Sequence, residues 1–420
     1  MRPTKFDLGE LLKVGLSPID GTQPGFAVLK NLKSDGTRLV SCTEDSVTKL
    51  SSCIPFTRGI ADYYITTAGI YKSSSGTPLK VHTFVGAIKV LNLIKVVYIQ
   101  DSVSTFFIDS SGIYNVNPSG AFIPLCNSIV QMNGQLIAAG IRDSFNNLDE
   151  GYVLWSTIGQ DCFELSKENT AGFYNPNIGK ALGLIPLQDN IIILGSRGAA
   201  QMYYAAHIFG FRDIDIPLLK NPSLFAYSTN IGMYIAKDGS IIKVDKSGNF
   251  SNLNFSWIGK DVVDIRYLNG RNWFVLTTAD NSFIIDENGM FSFGYKIWGE
   301  FTESLVVENS FEQTTCEFLT NFMDFHRAGL KHLHEISVSE KATAAGVVIA
   351  YSEGISKTQG YKSLNSLSSV KYPIAGHRLA IGYKSTGSSA TIDRLQVEIS
   401  SFDRRFGFGK IFYGGNKDAN

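Results

Sequence analysis

The sequence predicts an all-β protein: a β-propeller of about six irregular blades followed by a C-terminal antiparallel β-sandwich. Three observations predict it. Apolar strand-like runs recur through the middle of the chain, a turn motif recurs between them, and the C-terminal part alternates polar and apolar residues. The composition agrees, because 28 Phe, 18 Tyr and 40 Gly against 12 Pro are typical of strands joined by tight turns.

The recurring runs are apolar segments, most of them followed by a turn and a partner strand. They lie at 62–67, 95–100, 135–140, 190–195, 231–237 and 272–278. A spacing of roughly 33 to 55 residues is typical of propeller blades, whose common repeats are about 40–50 residues long. Six such units fit between about residues 45 and 305, so the runs predict the number of blades.

The recurring turn motif places an Asp at the end of an apolar strand and a Gly three residues later. Its three copies are Asp109 with Gly112, Asp245 with Gly248 and Asp286 with Gly289. An Asp starts such a turn by accepting hydrogen bonds from the backbone just after it, and a Gly tolerates the positive φ that returns the chain. Each copy therefore predicts a hairpin.

The chain is predicted to consist of four segments. They are an N-terminal lead-in at 1–45 with one short helix within 7–15, the propeller at 46–305, the C-terminal β-sandwich at 306–402 and a Gly-rich C-terminal tail at 403–420. Period-two alternation at 377–385 and 391–400 predicts antiparallel strands with one face in water, which indicates the sandwich. The tail is expected to dock on a neighbouring molecule or to stay loose.

The bulk charge gives no argument for a nucleic-acid binder, because 38 Lys and Arg balance 38 Asp and Glu. Only 18% of residues are charged, which favours assembly. Five Cys without CxxC spacing argue against a disulfide framework or a zinc knuckle and for folding in a reducing cytosol. The start has no apolar core of signal-peptide length, and Lys89, Asn92 and Lys95 interrupt the longest apolar run, so we expect a soluble protein that is not secreted by the general route.

No residue is assigned a catalytic, cofactor-binding or metal-binding role, and no cofactor is expected. The closest approach to a metal cluster is His332 and His334 on one face of a predicted strand, with His326 nearby. Only Glu335 joins them at ligand spacing, and it would face the other way. Solvent-facing or interface histidines are the preferred interpretation.

Other candidates for chemistry also have structural interpretations. Ser352-Glu353-Gly354 is similar to one SxDxG box of sialidase-like propellers, which is a turn without a catalytic part. A glycosidase needs paired carboxylates across a pocket, and nothing distinguishes Asp149-Glu150 or the pair Asp213 and Asp215 from surface acids. The segment 211–222 alternates charged and apolar residues, as a contact arm between subunits or an edge strand of a blade would.

Several short motifs carry a family resemblance. Val153-Leu154-Trp155-Ser156, Phe163 and Ala171-Gly172 are followed by LIPL and NIIILGSRGAAQMYY within 184–204. FMDFHRAGLKHLHEISVS, AYSEG, AGHRLAIGYKS and ATIDRLQVEIS then occur in that order within 322–400. Over about residues 60 to 400, this pattern resembles the β-propeller tail proteins of short-tailed bacteriophages, the packaged-DNA stabilisation and tail-nozzle family.

The resemblance implies a structural protein of the virion tail that is assembled in the host bacterial cytoplasm and is not an enzyme. It implies a homo-oligomer, a six-fold ring below the portal and adaptor, with tail fibres or tailspikes as further partners and no membrane insertion. Such a ring forms the DNA exit channel, lets genomic DNA pass transiently and helps to retain it until ejection. Apart from Arg404-Arg405 the chain has no basic cluster. That suits a conduit, whose inner wall we expect to be neutral or mildly acidic, because each neutralised phosphate adds salt-dependent affinity.

Two other functions stay open from the residues alone. A receptor- or carbohydrate-binding propeller would present exposed aromatic residues in a repeated pocket, whereas Trp155, Trp257, Trp273 and Trp298 lie in or beside apolar strands and look like core. A glycoside hydrolase propeller is the third hypothesis, and a substrate screen would separate it from the other two.

Overall fold

The chain is nearly all β. The computed structural model describes residues 3–17, 25–42, 47–93, 96–110, 112–114, 123–143, 147–159, 163, 171–205, 208–308, 315–325, 329–344, 346–353, 360–363, 368–386 and 389–402. These residues form 38 strands, a 3₁₀ helix at Gly9–Lys13 where a short helix was predicted, and a single α-helical turn, α1, at Ser256–Gly259. The predicted fold class, a β-propeller with an antiparallel β-sandwich, is confirmed.

The chain divides into two compact units. We call residues 46–280 with 296–311 the propeller unit, and residues 1–45, 281–295 and 312–420 the sandwich unit. The four segment boundaries given from the sequence stay a prediction. The first five strands are β1 (Thr4–Asp7), β2 (Phe26–Lys30), β3 (Leu32–Ser34), β4 (Leu39–Ser41) and β5 (Val47–Leu50).

In the propeller unit, five four-stranded antiparallel sheets follow one another as blades 1 to 5. Blades 1 and 2 are β6 (Ile54–Arg58), β7 (Ala61–Thr66), β8 (Gly69–Lys72) and β9 (Pro78–Val81), then β10 (Lys89–Asn92), β11 (Val97–Gln100), β12 (Thr105–Ile108) and β13 (Ile113–Tyr114). Blade 3 is β14 (Cys126–Met132), β15 (Gln135–Ile141), β16 (Val153–Trp155) and β17 (Gly172–Tyr174).

Blade 4 has the longest outer hairpin of these five blades. Its strands are β18 (Ala181–Leu187), β19 (Asn190–Gly195), β20 (Ala199–Ala205) and β21 (Ile208–Ile214). Blade 5 is β22 (Phe225–Tyr227), β23 (Ile231–Ile235), β24 (Ile241–Asp245) and β25 (Phe250–Asn252), and the hairpin of β26 (Asp264–Leu268) and β27 (Trp273–Thr277) begins blade 6.

All six apolar runs found in the sequence coincide with second strands of blades: β7, β11, β15, β19, β23 and β27. A second strand has a sheet neighbour on each side and another blade above each face, so nearly every residue is apolar. All seven residues of β15 are buried. Buried clusters between consecutive blades supply the core: Ile137, Ala139, Ile191 and Ile193, for example, join blades 3 and 4.

A three-stranded sheet closes the propeller. It consists of β30 (Ile297–Glu300), β31 (Leu305–Glu308) and β5, with β5 parallel to β31. The strand β30 lies against both β26 and β6. The beginning and the end of the propeller chain therefore meet in one sheet.

The sandwich unit contains the remaining strands: β28 (Ser282–Asp286), β29 (Gly289–Phe293), β32 (Cys316–Thr320), β33 (Leu330–Ala342), β34 (Gly346–Glu353), β35 (Gly360–Ser363), β36 (Ser368–Gly376), β37 (Arg378–Ser385) and β38 (Ala390–Phe402). One sheet has the order β3-β4-β38-β33-β36, with β1 beside β38, and the other continues from β28 as β29-β2-β32-β37-β34-β35. The two sheets face each other where β34 lies against β36. Strands from both ends of the chain thus build the sandwich.

The three Asp–Gly motifs form the predicted hairpins β12–β13, β24–β25 and β28–β29. The Gly112 amide donates to Asp109 Oδ1 over 3.1 Å, and the Gly289 amide donates to Asp286 Oδ1 over 3.0 Å. Gly248 has a φ of +82°, in the region that favours glycine. The turn chemistry read from the sequence is confirmed in each copy.

Candidate functional site

The first strands of blades 1, 2, 3, 5 and 6, together with β30 of the closing sheet, line a central channel with a volume of about 560 Å³. Strands β6, β10, β14, β22, β26 and β30 contribute to its wall. The charged residues of the wall are Lys89, Arg142, Asp264, Arg266 and Glu300. The pairing of these charges decides which of them remain available in the channel.

Three of the channel's five charged residues form ion pairs on the side of blade 6. Arg266 Nε lies 2.6 Å from Asp264 Oδ2, and its Nη1 donates to the carbonyls of Cys53 and Trp298. Glu300 pairs with Arg271 over 2.9 Å and also accepts a hydrogen bond from the Gly270 amide. These groups are neutralised within the wall and have a structural part in it.

The opposite side of the channel carries two cations with a different environment. Lys89 Nζ donates to the Cys126 carbonyl over 2.8 Å, and Arg142 Nη2 donates to the same oxygen over 3.3 Å and to the Asp101 carbonyl over 3.2 Å. Burial lowers the pKa of Lys89. Neither side chain has a carboxylate within 4.0 Å among the residues that the structure describes.

A polar cleft of about 590 Å³ opens at the outer end of blade 4, on its side toward blade 5. We call it the rim cleft; its wall includes Gln188, Asn190, Tyr203, Arg212 and Lys246. Arg212 is fixed by hydrogen bonds to Gln201 Oε1 and to the Ser247 carbonyl. The cleft thus combines an aromatic ring, side-chain amides and two cations.

The other side of blade 4 is apolar out to its edge and meets blade 3. We call Trp155, Tyr174, Phe209 and Phe211 the aromatic rim. Tyr174 stacks on Phe211 with ring centres 4.3 Å apart, and the Trp155 ring lies 5.3 Å from that of Phe209. Tyr174 is 46% exposed, whereas Phe173, 49% exposed, lies against Tyr152 on the opposite face of β17. An apolar cluster with such exposure is typical of a contact surface.

The histidine cluster is not assembled among the described residues. His332 and His334 lie on the partly exposed face of β33, where His334 Nε2 lies 2.8 Å from Ser400 Oγ. His326 lies outside the described residues. Within the described ranges, no group of three His, Cys, Asp or Glu side chains is placed to hold a metal ion.

The acidic candidates lie apart from one another. Asp149 and Glu150 line a separate polar cleft of about 390 Å³, where Glu150 pairs with Lys180 over 2.5 Å. Asp213 is exposed at the end of β21, and Asp215 is exposed just beyond it. The part of segment 211–222 in β21 is an outer strand of blade 4, as the edge-strand interpretation predicted. Ser352 is buried in β34 and Gly354 lies outside the described residues.

The tryptophans differ in part from the prediction that they are core. Trp273 is 5% exposed and belongs to the core. Trp155, Trp257 and Trp298 are only partly buried. Trp155 lies over Gly172, where a Cβ would stand 2.6 Å from the indole ring, so the missing side chain makes room for it. Its neighbours in space come from blade 4, which the sequence around it does not reveal.

No family model matches the chain, and no curated protein matches it. Solved structures similar to it include PorZ of Porphyromonas gingivalis, a surface component of the type-IX secretion system (11% identity, 65% of this chain and 36% of that chain, TM-score 0.38). Another is the extracellular domain of BT4673 from B. thetaiotaomicron (9% identity, 81% of this chain and 58% of that chain, TM-score 0.40). A third is apo AztD from Citrobacter koseri (9% identity, 85% of this chain and 96% of that chain, TM-score 0.36). The chain spans about a third of PorZ and somewhat over half of the BT4673 domain.

None of the helices within the described residues is long and apolar enough to cross a membrane.

Proposed function

We propose that this chain is a structural, non-enzymatic subunit of the tail of a short-tailed bacteriophage, in the nozzle or head-to-tail ring. In this proposal, copies of the chain form a six-fold ring that contacts the adaptor or portal-side ring and the tail fibres or tailspikes. The ring would form the DNA exit channel and help to retain the packaged genome. The motif order within 153–204 and 322–400 supports the family, and the aromatic rim supports the assembly.

The observation that carries the proposal is the exposure of the aromatic rim. Tyr174, stacked on Phe211 at the outer edge of blades 3 and 4, is 46% exposed. A protein that remains alone in water gains nothing from this surface, whereas burial of apolar area stabilises a contact between subunits. The formal net charge of zero leaves no general repulsion to oppose association.

The test is the oligomeric state of the full chain by negative-stain imaging and light scattering, alone and mixed with the adaptor ring. We expect rings from the wild type and their loss when Tyr174 is changed to Ser. Phe250→Ser is the matched control, because Phe250 is 46% exposed on the outer strand of blade 5 but lies outside the aromatic rim. A wild-type chain that stays monomeric even with the adaptor would overturn the proposal. Rings unaffected by Tyr174→Ser would show that the rim is not the contact.

The rim cleft favours a second candidate function, a receptor- or carbohydrate-binding module. Sugar sites use an aromatic face and hydrogen-bonding side chains, and the cleft offers Tyr203 with Asn190 and Arg212. A glycan array with the wild type and Tyr203→Ala tests it. Retention of a glycan by the wild type and its loss in the variant would favour this function, and an array without binding would exclude the glycans presented.

A further inference from the structure

The channel wall brings two cationic side chains to one backbone oxygen. Lys89 comes from the first strand of blade 2, and Arg142 follows the second strand of blade 3. Both donate to the Cys126 carbonyl, so their charges are held within a few ångströms of each other. Two like charges at this separation repel, and a partly buried position weakens the screening by water.

The two carboxylates nearest in the chain do not pair with these cations. Asp101 is buried and ionised: burial alone would raise its pKa, but hydrogen bonds from the Val85, Val103 and Ser104 amides outweigh it and lower the pKa. It also faces the His82 ring. Asp143 accepts a hydrogen bond from the Leu125 amide through Oδ2 over 2.9 Å. Among the described residues neither carboxylate forms an ion pair with Lys89 or Arg142, although the charge of Asp101 acts on Lys89 from a greater distance and opposes the larger effect of burial on its pKa.

Arg142 also has an unused donor. Its Nε is buried and has no hydrogen-bond acceptor among the described residues. Buried charged donors are normally paired, since an unpaired one loses its hydration without replacement. Lys89 Nζ carries three N–H donors and gives one to Cys126. Lys89 and Arg142 both line the channel, so the pair presents two charges and the remaining ammonium and guanidinium donors to it.

We propose that Lys89 and Arg142 form a binding site for a small dianionic oxyanion, a phosphate or a phosphate-bearing small molecule, inside the propeller channel. Two cations match two negative charges. The guanidinium fork and the ammonium together fit the oxygens of a tetrahedral phosphate. Ser102 and Asn127 add polar side chains to the same part of the wall. The site lies within the propeller unit and does not depend on ring formation.

Calorimetry and thermal melting of the full chain with inorganic phosphate test the proposal, with sodium chloride at matched ionic strength as the reference. We expect saturable binding and a rise in Tm with phosphate, and at least about tenfold weaker binding in Lys89→Met and in Arg142→Met. Lys237→Met is the matched control, because Lys237 Nζ likewise donates to a backbone carbonyl, that of Ser196, but lies on the exposed surface. It should bind phosphate as the wild type does.

Three outcomes would overturn the proposal: no phosphate effect beyond that of chloride, equal binding in the Met variants and the wild type, or acetate binding as tightly as phosphate. The last would show that a single negative charge suffices. If the Met variants fail to fold, Arg142→Lys keeps the charge and removes the planar fork. That variant should bind phosphate several-fold more weakly, and unchanged binding would contradict the assigned geometry.

Discussion

Arg266 joins three parts of the propeller where the ring closes, and its replacement by Met is the sharpest test of how closure is stabilised. Its guanidinium pairs with Asp264 of β26 and donates to the carbonyls of Trp298 in β30 and of Cys53 just before β6. Methionine keeps most of the aliphatic stem and removes every donor. The change therefore isolates the polar contacts from the packing of the side chain.

The expected loss follows from those contacts. Each hydrogen bond to a carbonyl contributes about 1 kcal/mol. The ion pair contributes about 1 kcal/mol after a discount for solvent, since the Arg266 and Asp264 side chains are 23% and 26% exposed. The sum is about 3 kcal/mol, which for a unit of this size lowers Tm by about 6–12 °C.

Differential scanning calorimetry of the full chain measures the effect. Lys180→Met is the control, because it removes an ion pair of similar length whose lysine is 64% exposed, and we expect a shift of about 2 °C or less. The reasoning would be refuted if Arg266→Met melted within 2 °C of the control. In a double-mutant cycle, Asp264→Asn should cost less in the Arg266→Met background than in the wild type.

Two further predictions concern the core and a turn. Ile193→Ala, at a fully buried site between blades 3 and 4, should lower the free energy of unfolding by about 2–5 kcal/mol in urea titrations, whereas Ile208→Ala, 69% exposed, should change it by less than about 0.5 kcal/mol. Asp245→Ala should lower it by about 1 kcal/mol at pH 7. Burial alone would raise the pKa of Asp245, but hydrogen bonds from Asn249 and Ser247 outweigh it and lower the pKa. The contribution of Asp245 is thus present above the unfolded carboxyl pKa of about 3.9 and is lost as the pH falls through the lower folded value. The Tm difference between this variant and the wild type should therefore shrink below about pH 4, and a constant difference would contradict the assignment.

The second strands of the blades were predictable because burial on both faces leaves a continuous apolar run. The outer strands were not. All three residues of β25 are exposed and β17 has only three residues, so neither has a periodic pattern to detect. Their positions follow from hairpin pairing with inner strands. The Asp–Gly turns were predictable because their geometry depends on residues within one short segment.

The channel pair could not be predicted, although each member leaves a trace in the sequence. Lys89 interrupts an apolar run, and Arg142 directly follows a strand whose seven residues are all buried. A basic residue beside a buried strand indicates that its position is constrained, but the sequence does not indicate which residue it meets in space. The two meet at the Cys126 carbonyl only because blades 2 and 3 stand next to each other. The aromatic rim has the same origin, since Trp155 meets Phe209 across two blades.

The long-range pairings inside the two units predict an order of folding. In the closing sheet of the propeller unit, Thr48 Oγ1 lies 3.1 Å from Ser304 Oγ, 256 residues away in the chain. In the sandwich unit, Asn31 Nδ2 donates to the Thr315 carbonyl, 284 residues away. Closing the loop between Asn31 and Thr315 in an otherwise unfolded chain costs about 5 kcal/mol in chain entropy. Once Thr48 and Ser304 are held together in the closed propeller, only about 28 residues between the two pairs remain free, and closing that shorter loop costs about 3 kcal/mol.

Prior closure of the propeller thus lowers the entropy cost of forming the sandwich by about 2 kcal/mol. The blades of the propeller, by contrast, need only local hairpins. We expect amides of β7, β15 and β23 to gain protection before those of β2 and β32 in pulsed hydrogen-exchange refolding. Protection of β2 and β32 first would show that the sandwich forms without the propeller and that loop entropy does not set the order.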